Sequence, residues 1–470
     1  MKKRFKVIVI GSGPGGSLTS NLLSEKGLDV LMIEKGSYHK LSDHKAFSSD
    51  EMINKYKNGG LTLTFGNTKV NYVEGKCVGG GSEVNSGLYH RLPNEILDNW
   101  EKKNKLSFDR KFLEQSYIQN EKDLSISYLP GNTPKASQKL INGCKSLNWK
   151  CIEVPRWFKY EDSFNKGVKQ SMTETYIPQF LKNGGELLTE TNVEKVTKKG
   201  KLNIVHVIRN GIKSSFECDY LFITGGAIDT PFLLRKSGHK GLVGKGLKTH
   251  PSFKLTALFE DRIYSNNEDV SVHQVKEFSP KISMGSSVSN KHYLGLSLND
   301  TNSLNYIEDW EKMSSYYVMT SPEGEGSVRK LPFFNSPLVT FNLTKKDYYN
   351  IHKGIYLLSK LLFESGAVKL FPSGKQLSTI EKLEDVFKLN TIPKELLKLM
   401  TIHLFGSVQM AGDSKTGPIN IDGHLWEDDT IYVNDSSILI DSPTVNPQGI
   451  LMAMARMNVL KFLNKIKNEI

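Results

Sequence analysis

The stretch KVIVIGSGPGG, residues 6–16, constrains the fold of this chain more than any other. An apolar run breaks into Gly11-Ser12-Gly13-Pro14-Gly15-Gly16, which matches G-x-G-x-x-G at Gly11, Gly13 and Gly16. The first glycine permits a tight turn, and the second lets backbone approach a pyrophosphate. The third lets a helix pack closely on the strand, with its positive amino end toward the phosphates. Pro14 stands inside the same turn. Eighteen residues after Gly16, the run VLMIEKG ends a second strand at Glu34, where a carboxylate can accept ribose hydroxyls. Strand, glycine turn, helix and terminal acid together predict a dinucleotide-binding α/β unit.

Composition narrows the setting. At 470 residues the chain can hold two or three domains around a large core. No apolar run approaches the roughly 20 residues needed to cross a bilayer, and the basic, apolar opening MKKRFKVIVI is strand one rather than a leader. Cys77, Cys144, Cys151 and Cys218 are scattered without C-x-x-C spacing, which argues against a disulfide framework or zinc ribbon and for a reduced, cytoplasmic setting. The net charge of +12 comes from lysines spread along the chain, with no nucleic-acid motif, so it reads as a solvated surface. If the charge has a role, it favours an acidic substrate or an anionic surface. The histidines lack metal-ligand spacing, and no metal site is expected.

A second glycine cluster, GKCVGGGSEVNSGLYHR at residues 75–91, separates two kinds of dinucleotide enzyme. Gly79, Gly80 and Gly81, followed by Ser82 and Asn85, suit neither a helix nor a strand interior. They suit backbone lying flat against a large planar ligand. A nicotinamide enzyme does not need such a bed; a flavin does. Farther on, TGGAIDTPFLLRKSG reads as strand, small-residue turn and helix, with Gly226 in the turn. FKLTALFED, HYLGLSL and PLVTFNL alternate like strands of a second sheet, and residues 346–402, including PKELLKLMTIHLF, read as mostly helical. The end of the chain reads as strand, loop and a helix opening near Pro447.

Four separated blocks resemble the glucose–methanol–choline oxidoreductase family. They are the first turn with Glu34, the 75–85 cluster, Gly226-Ala227-x-x-Thr230-Pro231-x-Leu233-Leu234, and His403-x-x-Gly406-Ser407-x-x-Met410 followed by TIYVNDSS and SPTVNPQG. The triple glycine and VNSG are most similar to the cholesterol oxidase branch. The resemblance implies a Rossmann-like FAD-binding domain (1–91, 186–250 and 403–470) interleaved with an α+β substrate domain on an antiparallel sheet (92–185 and 251–402). It implies His403 as the base that takes a hydroxyl proton and Asn446 as its partner on the substrate oxygen. A hydride would pass to flavin N5. Pro447 and Gln448 would open a helix toward the flavin, Asp435 and Ser436 would lie beside the ribityl and pyrophosphate, and Val193 would meet the adenine through its backbone. His250 reads as structural or supporting, and His90 and His239 as surface. No histidine, cysteine or tyrosine near Gly79–Ser82 stands as a tether, so FAD is expected to be non-covalent.

The function so implied is oxidation of a sugar, polyol or related alcohol to an aldehyde or ketone. The partners would be a small alcohol, an acidic or carrier-linked glycan among the options, and oxygen or another electron acceptor. Two alternatives stay open at this point. One is reduction or isomerisation of a carbon–carbon double bond on an apolar substrate; the other is a non-catalytic protein that retains FAD.

Overall fold

The computed structural model describes residues 3–161, 163, 165–264, 272–391 and 393–469. Its first sheet is built on the strand Arg4–Ile10, whose alternate residues Val7 and Val9 face one core while Ile8 and Ile10 face another. Apolar side chains on both faces are what a parallel strand covered by helices needs. Arg4–Ile10 pairs in parallel with Val30–Ile33 on one side and with Ile212–Ile223 on the other. Glu186–Leu188 and Asp428–Val433 extend the parallel sheet outward on the two sides. The long strand Ile212–Ile223 also closes an antiparallel meander with Thr191–Lys199 and Leu202–Arg209.

The second sheet runs in the order Val70–Tyr72, Leu399–Thr401, Ser252–Phe259, Met313–Thr320, Ile282–Ser286, His273–Val275, Cys151–Glu153, with Ala367–Pro372 also pairing Ser252–Phe259. It is antiparallel except where Leu399–Thr401 meets Val70–Tyr72. One face is apolar: Phe253, Leu255, Ala257 and Phe259 pack with Ile351, Ile355 and Leu358 of the helix Lys345–Glu364. The intervening residues Ser252 and Lys254 must therefore point to the opposite face, because side chains alternate along a strand. The two sheets are thus α/β and α+β layers, as expected.

A small third sheet links them. Thr249, at the end of Lys245–Thr249, pairs with Leu404, and Ser252 pairs with Met400. The dipeptides His250-Pro251 and Ile402-His403 therefore face each other where the chain passes from one sheet to the next.

Several segments depart from the expectations above. The helices Asn94–Asn104 and Arg110–Asp123, placed by the sequence boundaries in the substrate domain, bury Trp100, Leu113 and Tyr117 in a cluster with Phe5, Ile8 and Leu31 of the first sheet. HYLGLSL is part of the helix Lys291–Asp300 rather than a strand: Asn290 caps it, accepting from the Tyr293 N–H at 3.1 Å, and Leu294 and Leu298 are buried one turn apart. PKELLKLMTIHLF is not helical beyond the turn Lys394–Leu396, because Leu399–Thr401 is taken up as a strand between two neighbours. Among the described residues no helix is long and apolar enough to cross a membrane. All four cysteines are free thiols.

Candidate active site

Between the two sheets lies a cavity of about 950 Å³. Its dinucleotide half is lined by Gly11, Gly13, Pro14, Glu34, Gly80, Gly81, Val193, Gly226, Asp435 and Ser436. The glycines there divide into two kinds. A Cβ on Gly11, Gly15 or Gly16 would lie between 1.8 and 2.4 Å from a backbone oxygen, so these glycines permit packing. A Cβ on Gly13, Gly81 or Gly226 would meet nothing within 4 Å, so these leave bare backbone facing open space. Gly80 brings the two turns together, since a Cβ there would stand 3.0 Å from the Gly13 Cα. A bed of bare backbone beside a helix amino end fits a dinucleotide pyrophosphate and a flat ring.

Three predicted binding residues do not reach the cavity. Gly16 packs under the first turn. Gly79 takes φ +90° and donates its N–H to the Ser12 hydroxyl at 3.1 Å. Ser82 is fully buried, donates to the Gly79 carbonyl at 2.8 Å and accepts from the Met172 N–H at 3.1 Å. The cluster does not avoid helix either: Gly81–Val84 forms one helical turn behind Gly80, with the Glu83 carboxylate held by Ser171 and Thr173. Asp435 lines the cavity but spends its carboxylate within the fold, accepting from Gly226 N–H at 2.8 Å, from the Thr230 hydroxyl, and from Ser437 N–H at 2.8 Å.

Ser12 is a residue that sequence reasoning passed over. Its N–H and hydroxyl both donate to Glu34 Oε2, at 3.0 and 2.7 Å, while the hydroxyl accepts from Gly79. One serine therefore ties the first turn, the acid and the second glycine bed. Burial raises the Glu34 carboxyl above its usual range against these hydrogen bonds.

At the other end, His403 Nε2 lies 3.3 Å from Asn446 Nδ2, and both residues line the cavity. Asn446 Oδ1 accepts from Gln274 Nε2 at 3.4 Å, which leaves its amide N–H₂ to donate to His403. His403 Nε2 is then an acceptor, and its proton sits on Nδ1. That nitrogen is 3.0 Å from His250 Nδ1, and His250 Nε2 is 2.6 Å from the Ser442 hydroxyl. With His403 donating to His250, and His250 to Ser442, every ring nitrogen has a partner, and Nε2 stays unprotonated with its lone pair accepting the Asn446 amide at the cavity wall. Burial, reinforced by the charge of Lys276, lowers the His403 pKa to about 4. His250 is lowered well below its usual value for the same first reason.

His250 thus contacts His403 directly. His90, read above as surface, is instead part of this cluster: its Nε2 lies 3.1 Å from Gln274 Oε1, and burial lowers its pKa to about 3. His239 lies apart, beside Glu427. Asn85 and Gln448 join across the cavity at 3.0 Å, and Gln448 opens the helix Gln448–Lys465 behind Pro447. Among the described residues no group of three histidine, cysteine or acidic side chains could hold a metal.

One cavity thus joins a dinucleotide-type glycine bed to a histidine–asparagine pair. Family models described as GMC oxidoreductase match residues 52–252 and 322–455. A GMC-type oxidoreductase from Sinorhizobium fredii, y4nJ, is 33% identical over 466 residues, covering 95% of this chain and 92% of that protein. The chain belongs to the GMC oxidoreductase family, whose members are flavoproteins and for which FAD is the indicated cofactor. Long-chain-alcohol oxidase FAO4B of Arabidopsis thaliana is 24% identical, covering 99% of this chain and 68% of that protein. The fold is shared with the crystal structure of pyridoxine 4-oxidase from Mesorbium loti, with a TM-score of 0.75 at 14% identity, covering 98% of this chain and 99% of that one. These matches do not single out the cholesterol oxidase branch.

Proposed function

We propose that this protein oxidises a hydroxyl group of a polar alcohol, of the sugar or polyol kind, to an aldehyde or ketone, using non-covalently bound FAD. The observation that carries this reading is the His403–Asn446 pair, placed on the cavity wall beyond the bare-backbone bed. Gly13, Gly81 and Gly226 would lie against FAD, Glu34 would accept its ribose hydroxyls, and Val193, Ser436, Pro447 and Gln448 would border the rest. FAD, when bound, supplies the acceptor for the hydride that leaves the alcohol carbon.

The protein's own part is proton transfer and orientation. His403 Nε2 accepts the hydroxyl proton, and the Asn446 amide donates to the same oxygen, fixing the carbon in place. Low pKa keeps His403 unprotonated across the neutral range. The amino end of the helix Gln448–Lys465 places roughly half a positive charge at the cavity, favouring negative charge there. Polar lining from Ser252, Ser286, Ser287 and Asn335 supports a hydroxylated substrate. The long-chain-alcohol oxidases among the relatives support the reaction class.

Anaerobic mixing of the purified yellow protein with alcohols, sugars, polyols and sterols tests this. Bleaching by hydroxylated polar compounds is expected, and recolouring on readmitting air would make oxygen an acceptor. A yellow protein that no alcohol bleaches contradicts the reading.

A further inference from the structure

We propose that Lys254 is an anion-recognition subsite of the substrate cavity, so that the alcohol oxidised here carries a carboxylate or phosphate group. The inference rests on the alcohol-oxidation reading and specifies its substrate class.

Position comes first. Lys254 sits between Phe253 and Leu255, both in the core, so its side chain leaves on the cavity face, where it lines the wall. Its cross-strand partner is Tyr317. Side chains of such pairs start about 5 Å apart. The Tyr317 hydroxyl accepts from Gln274 Nε2 at 2.9 Å, and Gln274 in turn touches Asn446. The lysine is therefore one side chain removed from the cluster that holds the reacting pair.

Charge comes second. Five acidic residues line the cavity, Glu34, Glu74, Glu194, Asp229 and Asp435, and all belong to the dinucleotide half. Two of them already face Lys57, at 2.9 and 3.0 Å. Among the described residues no carboxylate lines the substrate half of the cavity. Among the described residues Lys254 has no ion pair or hydrogen bond, and its Nζ stands 5.8 Å from the centre of the Tyr293 ring. Two other half-buried lysines are satisfied within the fold: Lys169 donates to two carbonyls, and Lys276 donates to Ser283 at 3.0 Å.

The Lys254 side chain is half-buried and its ammonium reaches the cavity with no hydrogen-bonding partner among the described residues, so an anion bound there gains a charge-assisted contact at little further cost in desolvation. Burial alone lowers the Lys254 pKa to about 8, which still leaves it charged at neutral pH. Ser287 lines the same cavity and can offer its hydroxyl to the anion, whereas the Ser252 hydroxyl donates to the His250 carbonyl at 3.3 Å and the Tyr293 hydroxyl to Met52 Sδ at 3.2 Å.

The test uses the FAD-loaded enzyme and matched pairs: glycerate against glyceramide, and a sugar phosphate against the free sugar. Flavin reduction by the anionic member is expected to be favoured roughly 10- to 100-fold in kcat/KM, as for a hydrogen bond to a charged group. Lys254→Met should bring that ratio near one, mainly through KM, and Lys254→Arg should keep most of it. In parallel, butyrate and inorganic phosphate are titrated against the oxidised flavin spectrum. Binding of either to wild type, weakening above about pH 8 and lost in Lys254→Met, supports the subsite even if no alcohol bleaches the flavin; that last outcome overturns the alcohol-oxidation reading alone. Neutral partners favoured equally in wild type, or an unchanged preference in Lys254→Met, overturns the subsite and leaves the reaction class standing. No difference between wild type and Lys254→Met in anion binding overturns it as well.

Discussion

His403 is useful as a base only while Nε2 is unprotonated and its other nitrogen is occupied, and both conditions come from neighbours. Burial and Lys276 provide the first, and the His250–Ser442 chain provides the second. The acid limb of kcat/KM should therefore fall near pH 4, not near the usual histidine value of about 6.5, when flavin reduction is followed from pH 4 to 8. His250→Phe keeps a ring but removes the acceptor for His403 Nδ1–H, and should slow reduction about tenfold while the FAD spectrum persists. The glycines give a second contrast. Gly13 has φ −63° and open space at its Cβ position, so Gly13→Ala should fold normally yet release FAD on gel filtration. Gly16→Ala should lose thermal stability first, since its Cβ would lie 2.1 Å from the Gly11 carbonyl. Sequence made the G-x-G-x-x-G turn legible but not this division of labour, because which glycine faces ligand depends on strands more than 200 residues away.

At the level of elements, two motifs that look independent in sequence complete each other. Pro231 sits inside the helix Gly226–Lys236 and has no N–H for the Ala227 carbonyl four residues back. The buried Ser407 hydroxyl donates to that carbonyl instead, at 2.6 Å. Ser407→Ala should leave the carbonyl unsatisfied and cost about 1–3 kcal/mol, read as a lower thermal midpoint with the site otherwise intact. The Thr-Pro and His-x-x-Gly-Ser blocks were both visible in the sequence; their contact was not. Local reading failed in a related way at HYLGLSL and PKELLKLMTIHLF. Short apolar runs fit either period, and Asn290 as a cap or Val70–Tyr72 as a strand partner decides between them. Lys254 was hidden for the same reason, since alternation places it on the cavity face only once Ser252–Phe259 is known to be a strand with one face buried.

For the whole molecule, the junction of two sheets concentrates three histidines, His250 buried and His90 and His403 half-buried, each with a lowered pKa. The unfolded chain takes up protons on them below about pH 6.5 while the folded protein does not, so stability is full above that pH and falls as pH drops toward 4. Each should contribute a loss of about 1.4 kcal/mol per pH unit in that window, seen as a steep fall in thermal midpoint between pH 6.5 and 5. On the proposed reading the same junction gives the molecule its chemistry, because it sets His403 in one cavity with the glycine bed. The measurement that tests this most directly is the anaerobic rate of flavin reduction by a bleaching alcohol in wild type and in His403→Ala, each with its FAD content recorded. A fall of about 10²–10⁴-fold with full FAD occupancy is the predicted result. Reduction at the wild-type rate by an FAD-replete His403→Ala protein would contradict the account.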